Sequence, residues 1–267
     1  MPETDEEALA QVYARALSLE KAGDVEAAAS AWREVLALDP ADHGGAAVRL
    51  AALGRGEVPD RAPEAYVATL FDQTADVFDN ILVEQLGYCV PMLLRERIDA
   101  LGLGPFNAML DLGCGTGLAG TSLRDRVGHV TGVDLSEGML EVADEMEDYD
   151  ALFTGDAEGF LAAGEGGPWD LITACDLLPY LGDLGPLFAA ASARLVPGGI
   201  FAFSTETLPD MDRPWKVGPR HRFVHDFAYL AGLMEANGLA PRHVEQIAVR
   251  HEEGEPVPGH LVLAERG

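Results

Sequence analysis

Asp111, Gly113, Gly115 and Gly117 stand within one short stretch, Asp-Leu-Gly-Cys-Gly-Thr-Gly at 111–117. A glycine-rich turn after an apolar run lets a ligand lie directly against the backbone. Dinucleotides, phosphates and sulfonium nucleosides all use such turns, and they imply different chemistries. Further acids close the apolar runs that follow: Asp134, Asp156 and Asp176, with Ser204 and Glu206 ending the fifth. A buried carboxylate costs free energy unless it is paired. Four strand ends in succession carrying one therefore point to a cationic or multi-donor ligand. Asp134 lies about 20 residues past the first glycines, the spacing at which a carboxylate accepts from both ribose hydroxyls. Asp156 either caps the helix it opens or accepts from an adenine amino group. Asp111 suits the loop itself or an ammonium better than a phosphate, because acids facing a diphosphate repel it. Gly-Thr-Gly-Leu-Ala-Gly at 115–120 also fits the dinucleotide pattern G-x-G-x-x-G, a weak signal alone. Asp111, the later acids and the C-terminal hairpin described next count against it.

The elements that must position these residues are legible as alternating periods. AMLDLG, HVTGVDL, ALFTGD, DLITACD and GIFAFSTE read as strands, separated by segments of helical spacing, with Ser136 as the N-cap of the second. Strands that alternate with helices predict a parallel, doubly wound sheet. HVEQIAVR and GHLVLAER follow, joined through EEGEPVP with no helix between, so the sheet should close on an antiparallel β-hairpin and reach seven strands. Three regions are expected. Residues 1–58 are alanine-rich and helical, with Gly23-Asp24 as a turn, Trp32 on the second helix and Asp39-Pro40 at its end. Residues 59–104 comprise a Gly/Pro linker and lid helices, with an apolar stripe of Val67, Leu70, Phe71, Phe78, Ile81 and Leu82, a stop at Gly87 and Pro91 opening the next helix. Residues 105–267 form the ligand-binding domain.

The chain of 267 residues carries a formal charge of −27. That balance disfavours nucleic acid, which requires clustered cations to displace counterions, and anionic membrane surfaces. No apolar run reaches the roughly 18 residues of a membrane span. The acidic N-terminus MPETDEEALA lacks the features of a signal peptide, so the location is read as cytoplasmic. Cys89, Cys114 and Cys175 are widely spaced, which predicts neither a disulfide frame nor a metal site.

The ordered set DLGCGTG, GVDLSEGML, GDA, WDLITACDLLPYL and RLVPGGIFAFSTE resembles the motifs of class I S-adenosylmethionine-dependent methyltransferases, from about Tyr66 to the C-terminus. The helical start, similar to a tetratricopeptide repeat, and YVATLFDQTADVFD further resemble a bacterial group of predicted methyltransferases with such an N-terminal repeat. The resemblance implies a Rossmann-like fold with S-adenosylmethionine as cofactor and S-adenosylhomocysteine as product. It also implies roles. Asp111, Gly113, Cys114, Gly115 and Gly117 would wrap the methionine part, Asp134 would hold the ribose, and Leu135 and Met139 would line the adenine pocket. Asp156 and Ala157 would meet the adenine edge, and Asp176 and Leu177 would lie near the sulfonium. Tyr66, Phe71 and Phe78 would close over the cofactor. Where many small-molecule relatives carry a histidine after the fourth acid, this chain reads Asp176-Leu-Leu-Pro-Tyr180, so no catalytic histidine is inherited there.

If the acceptor must lose a proton, His225 and Tyr180 are the candidate catalytic residues, with His221 and Glu206 behind them. RPWKVGPRHRF places Arg213, Lys216, Arg220 and Arg222 in an acidic chain, either as a balanced surface loop or as a lid for an anionic substrate group. The expected acceptor is a small molecule. Two other classes stay open: a non-catalytic cofactor-binding protein whose N-terminal helices serve a protein partner, and an NAD-dependent oxidoreductase.

Overall fold

The structure, a computed structural model, describes residues 3–267. Helices α1 (Glu3–Lys21) and α2 (Val25–Leu38) form a hairpin around Gly23-Asp24, where Asp24 caps α2 by accepting from Ala27 N at 3.1 Å. Trp32 is fully buried between them, edge-on to Tyr13 at 5.3 Å, and its Nε1–H donates to Glu20 at 2.7 Å. α3 (Ala46–Ala52) completes this small core. The lid stretch is one apolar stripe in sequence but three pieces in space: α4 (Glu64–Asp72), a 3₁₀ turn at Ala75–Val77 and a π turn at Asn80–Gln85. The break falls at Thr74, whose hydroxyl bonds back to the Leu70 and Phe71 carbonyls and competes with the helical ladder. α5 (Val90–Ala100) follows with Pro91 in its first turn, where a missing N–H costs nothing.

The main domain alternates strictly: β1 (Phe106–Leu112), α6 (Leu118–Leu123), β2 (Val127–Asp134), α7 (Glu137–Glu145), β3 (Ala151–Thr154), α8 (Ala157–Ala163), β4 (Trp169–Ala174), α9 (Gly185–Arg194), β5 (Leu195–Glu206). After β5 the basic insertion forms a two-stranded ribbon, β6 (Trp215–Val217) and β7 (Phe223–His225), which the sequence reading treats as loop. α10 (Phe227–Ala236), β8 (Leu239–Glu252) and β9 (Glu255–Arg266) complete the chain. The seven-stranded sheet has the order β3-β2-β1-β4-β5-β9-β8, parallel except for β9, antiparallel to both β5 and β8. This is the expected α/β, Rossmann-like, doubly wound architecture. The hairpin is longer than expected, turning tightly at Glu253-Gly254 with Pro256 and Pro258 inside β9.

Period-two alternation divides the core between the two faces of the sheet. On β5, Phe201 and Phe203 turn to α9, where Phe188 meets them edge-on at 5.3 and 5.1 Å, while Ile200 and Ala202 turn to Leu94 and Ile98 of α5. The N-terminal helices join the main domain through a further cluster that unites Val48, Ala62 and Val67 with Val217 and Phe223 of the ribbon. Among the described residues no helix is long and apolar enough to cross a membrane.

Candidate active site

Parallel register sets Asp111 of β1 between Gly132 of β2 and Thr173 of β4. Thr173 Oγ1 donates to Asp111 at 2.6 Å, and Tyr149 Oη donates to its other oxygen at 2.6 Å. Gly120 and Gly132 leave room for that phenol: a Cβ at Gly120 would stand 2.5 Å from Tyr149 Oη, and one at Gly132 would stand 2.8 Å from its ring. Asp111 is 1% exposed, and burial pushes its pKa up to about 6 despite the two hydroxyls that lower it, with Asp134 adding to the rise. This sets the sign of a pH effect. The native state keeps a proton that the unfolded chain loses at its ordinary 3.8, so this group's contribution to stability falls as pH rises from 3.8 to about 6. The difference amounts to about 3 kcal/mol at most, at roughly 1.4 kcal/mol per pH unit. Asp111→Asn should remove it, so stability measured by urea unfolding should shift toward the variant between about pH 4 and about pH 7. Parallel pH profiles for the two proteins would refute the assignment.

The glycine turn leaves the sheet at Leu112 with Gly113, Gly115 and Gly117 all at positive φ (65°, 54° and 97°), a run that L side chains resist. Its amides are largely spent inside the protein. Gly113 N and Cys114 N donate to Val133 O at 2.8 and 3.1 Å, Gly115 N to Asp134 Oδ2 at 2.9 Å, and Gly117 N to Cys114 O at 3.0 Å. Asp134 ends β2; its second oxygen accepts from Ser136 N at 2.9 Å, and Ser136 Oγ caps α7 through Met139 N at 3.0 Å. Asp156 caps α8 by accepting from Gly159 N at 2.9 Å and lies 3.6 Å from Arg61. Asp176, at φ 63°, is held by Arg250 Nη1 at 2.9 and 2.8 Å. The four acids are thus each compensated within the chain, by hydroxyls, amides or an arginine. A cationic ligand is not needed to account for them, which corrects that part of the sequence argument.

Above the carboxyl ends of the strands these residues open on a cleft of about 1060 Å³ empty volume, counting its solvent-open part. Asp111, Gly113, Cys114, Gly115, Asp134, Leu135, Asp156, Ala157, Asp176, Leu177, Phe71, Phe78 and Tyr180 line it together. Gly117 starts α6 just behind, with Tyr149 against it. Met139 is fully buried under α7 and outside the lining. Tyr66 lies outside it too: Val67 and Phe71, four residues apart on α4, face the cleft, while the Tyr66 ring packs over Gly45.

The lid stretch is latched to the main domain at three points, on α8, at the start of α7 and on the glycine turn. Arg61 pairs with Glu158, Asp72 accepts from Ser136 Oγ at 2.5 Å, and Asp79 accepts from Thr116 Oγ1 at 2.5 Å. Phe71 meets Phe78 and Tyr180 edge-on at 5.6 and 5.4 Å.

The candidate bases fare differently. His225 lies in β7 rather than at a helix start, is fully buried, and places Nε2 3.0 Å from Leu181 O and 3.2 Å from Gly182 O. Burial pushes its pKa down to about 4, and it does not line the cleft, so it is corrected to a neutral structural residue. His221 sits 3.1 Å from Glu20 of α1, away from the lining. Glu206 is 3% exposed and bound by Arg222 and Arg250. Tyr180 alone of these faces the cleft, its phenol pushed up by burial.

The basic insertion is balanced by acids. Arg213 and Lys216 pair with Asp212 at 3.7 and 3.3 Å, Arg220 with Glu252 at 2.7 Å, and Arg222 with Glu206 at 2.7 Å and also with Glu252. Its lid role for an anionic group is therefore corrected. Residues that sequence reasoning missed include Tyr88, Tyr149, Thr173, Arg61 and Arg250. Only Arg250 left a signal, as a cation at the end of the apolar run IAVR.

Residues 110–201 match a family profile described as a methyltransferase domain. Ubiquinone biosynthesis O-methyltransferase of Burkholderia lata is 36% identical over 103 residues, covering 36% of this chain and 43% of that protein. The same-named protein of Ralstonia nicotianae is 29% identical over 175 residues, 58% of this chain and 70% of that one. In the first of these the chain spans less than half of the relative's length. An S-adenosylmethionine-dependent methyltransferase structure from Clostridium acetobutylicum superposes with TM-score 0.55 at 18% identity, over 74% of this chain and 99% of that one. Geranyl diphosphate methyltransferase superposes with TM-score 0.53 at 21% identity, over 66% and 78%. Such identities speak for the fold. Residues 110–201 thus resemble a methyltransferase domain, and the sheet around them has the fold of S-adenosylmethionine-dependent methyltransferase structures.

Proposed function

We propose that this chain transfers a methyl group from S-adenosylmethionine to a small-molecule acceptor. The observation that carries the reading is the state of the glycine turn. Four of its amides are donated internally, so little backbone is left to cradle a diphosphate, while Asp134 lines the cleft with each oxygen accepting one amide, which leaves it acceptor capacity for ribose hydroxyls. That favours an adenosine without a diphosphate over a dinucleotide. When bound, the cofactor supplies a sulfonium whose methyl carbon is the electrophile.

The chain's own residues bind, orient and exclude water. Asp134 accepts from the ribose, Leu135 and Ala157 give the adenine an apolar wall, and Asp156 with Arg61 closes its edge. Asp111, fixed by Thr173 and Tyr149, sets a negative charge beneath the turn where an ammonium belongs. Phe71, Phe78 and the three latches hold the lid over the cleft, which keeps donor and acceptor aligned. The relatives' name favours oxygen as the accepting atom.

The N-terminal helices are read as a packed part of the molecule. Arg49 and His221 both meet Glu20, at 3.0 and 3.1 Å, and the cluster around Val48 continues into the ribbon. The test is turnover. The 267-residue chain given S-adenosylmethionine and a panel of neutral phenols should release one S-adenosylhomocysteine per methyl transferred. Cofactor binding with no turnover across the panel would favour the non-catalytic alternative.

A further inference from the structure

The sheet order divides the cleft. Asp134 and Asp156 stand over β2 and β3, whereas Cys175, Asp176 and Tyr180 follow β4 on the other side of the glycine turn. If the first side holds the nucleoside, as the proposed function requires, the second receives the acceptor.

The cleft carries an apolar wall of Phe71, Phe78, Leu82, Pro91, Leu118 and Leu181. Its charges are spent. Arg61 is the one cation in the lining among the described residues, and it pairs with Glu158 and approaches Asp156 at 3.6 Å and Glu64 at 3.7 Å. Behind Asp176, Arg250 bonds Asp176, Glu206 and Glu252, while Arg222 and Arg220 take up the rest of Glu206 and Glu252. Three acids face three arginines there, so the network offers neither sign of net charge to a ligand. An acceptor carboxylate or phosphate would find no free cation and would face Asp111 and Asp176.

Two polar groups on this side remain unspent. Tyr149 and Tyr229 hydroxyls are hydrogen-bonded within the protein. Those of Tyr88 and Tyr180, which both line the cleft, have no protein hydrogen-bond partner among the described residues. Tyr88 is 5% exposed, set at the end of the π turn by its N–H to Leu82 O at 3.0 Å, and its side chain packs in the core cluster with Val249. Burial keeps both phenols protonated, so each presents an O–H donor that also has free lone pairs. Neither oxygen is among the fully enclosed atoms left without a partner, so both hydroxyls open onto the cleft, where a ligand group can take the place of water as partner.

We infer that Tyr88 is an acceptor-binding residue and that the acceptor is an uncharged, largely apolar molecule whose hydroxyl is received between the Tyr88 and Tyr180 hydroxyls. The inference rests on the cofactor reading above, and the two are tested in sequence. Wild-type protein is first titrated with S-adenosylhomocysteine; lack of binding there fails the cofactor reading itself. The loaded protein is then titrated with two probes of one skeleton, 4-propylphenol and 3-(4-hydroxyphenyl)propanoate. The neutral probe should bind at least about 10-fold more tightly. Tyr88→Phe should weaken it about 5- to 10-fold, the loss of one hydrogen bond, with S-adenosylhomocysteine affinity held within about twofold. Equal or tighter binding of the carboxylate overturns the inference, as does an unaffected Tyr88→Phe. Binding of neither probe to the loaded protein also overturns it and leaves the cofactor reading standing.

Discussion

Replacing Asp134 with alanine is expected to lower affinity for S-adenosylhomocysteine by at least about 100-fold. Two losses combine. The carboxylate is the proposed acceptor for the ribose, and hydrogen bonds to a charged group contribute roughly 1.5–3 kcal/mol each. A pair of them exceeds the ~2.7 kcal/mol that a 100-fold change represents. The same carboxylate also holds the turn, through Gly115 N and Ser136 N at 2.9 Å each, so its removal frees the loop that must lie against the ligand. Asp134→Asn keeps the shape and one acceptor oxygen, and about a 10-fold loss is expected. Isothermal titration of both variants separates these values, and unchanged affinity in Asp134→Ala would contradict the placing of the nucleoside over β2.

Arg250→Met is expected to lower the free energy of unfolding by about 3–5 kcal/mol, the range for breaking a buried charge network by removing one partner. Arg250 is 2% exposed and satisfies three acids: Asp176 at 2.9 and 2.8 Å, Glu206, and Glu252 at 2.8 Å. Glu206 and Glu252 would keep Arg222, but Asp176 would lose its cation at the mouth of the cleft. Arg250→Lys retains the charge and loses the fork that reaches several carboxylates at once, so it should recover only part of the loss. Urea unfolding measures both. A change below about 1 kcal/mol for Arg250→Met would place the network among the weakly contributing surface pairs.

Much of this was readable from the chain alone, and the residues show why. The strands, the Ser136 cap, the glycine turn and the acids at the sheet's carboxyl edge depend on neighbours a few positions away. Local spacing reports such features faithfully. Asp176 and Arg250 lie 74 positions apart, and only the meeting of β4 with the C-terminal hairpin brings them together. Without Arg250 in view, the strand-end acids read as a demand for a cationic ligand.

The same blindness to distance misplaced the histidines and the basic insertion. His225 reads as a helix-start base, yet the ribbon buries it against the carbonyls of Leu181 and Gly182. Arg220 and Arg222 read as a lid, yet Glu206 and Glu252 had already engaged them. Tyr66 and Val67 differ by one position, a rotation of about 100° on a helix, and that rotation decides which of them faces the cleft. Tyr88 carries no sequence signal at all, because its significance is a hydroxyl without a partner.

In the proposed function the turn at 111–117 receives an adenosine bearing a thioether or sulfonium and no diphosphate. Isothermal titration of the 267-residue chain with S-adenosylhomocysteine, and separately with NAD, tests it most directly. Saturable binding of one S-adenosylhomocysteine per chain, undiminished by excess NAD, is the predicted result. Saturable NAD binding that excludes S-adenosylhomocysteine would contradict it.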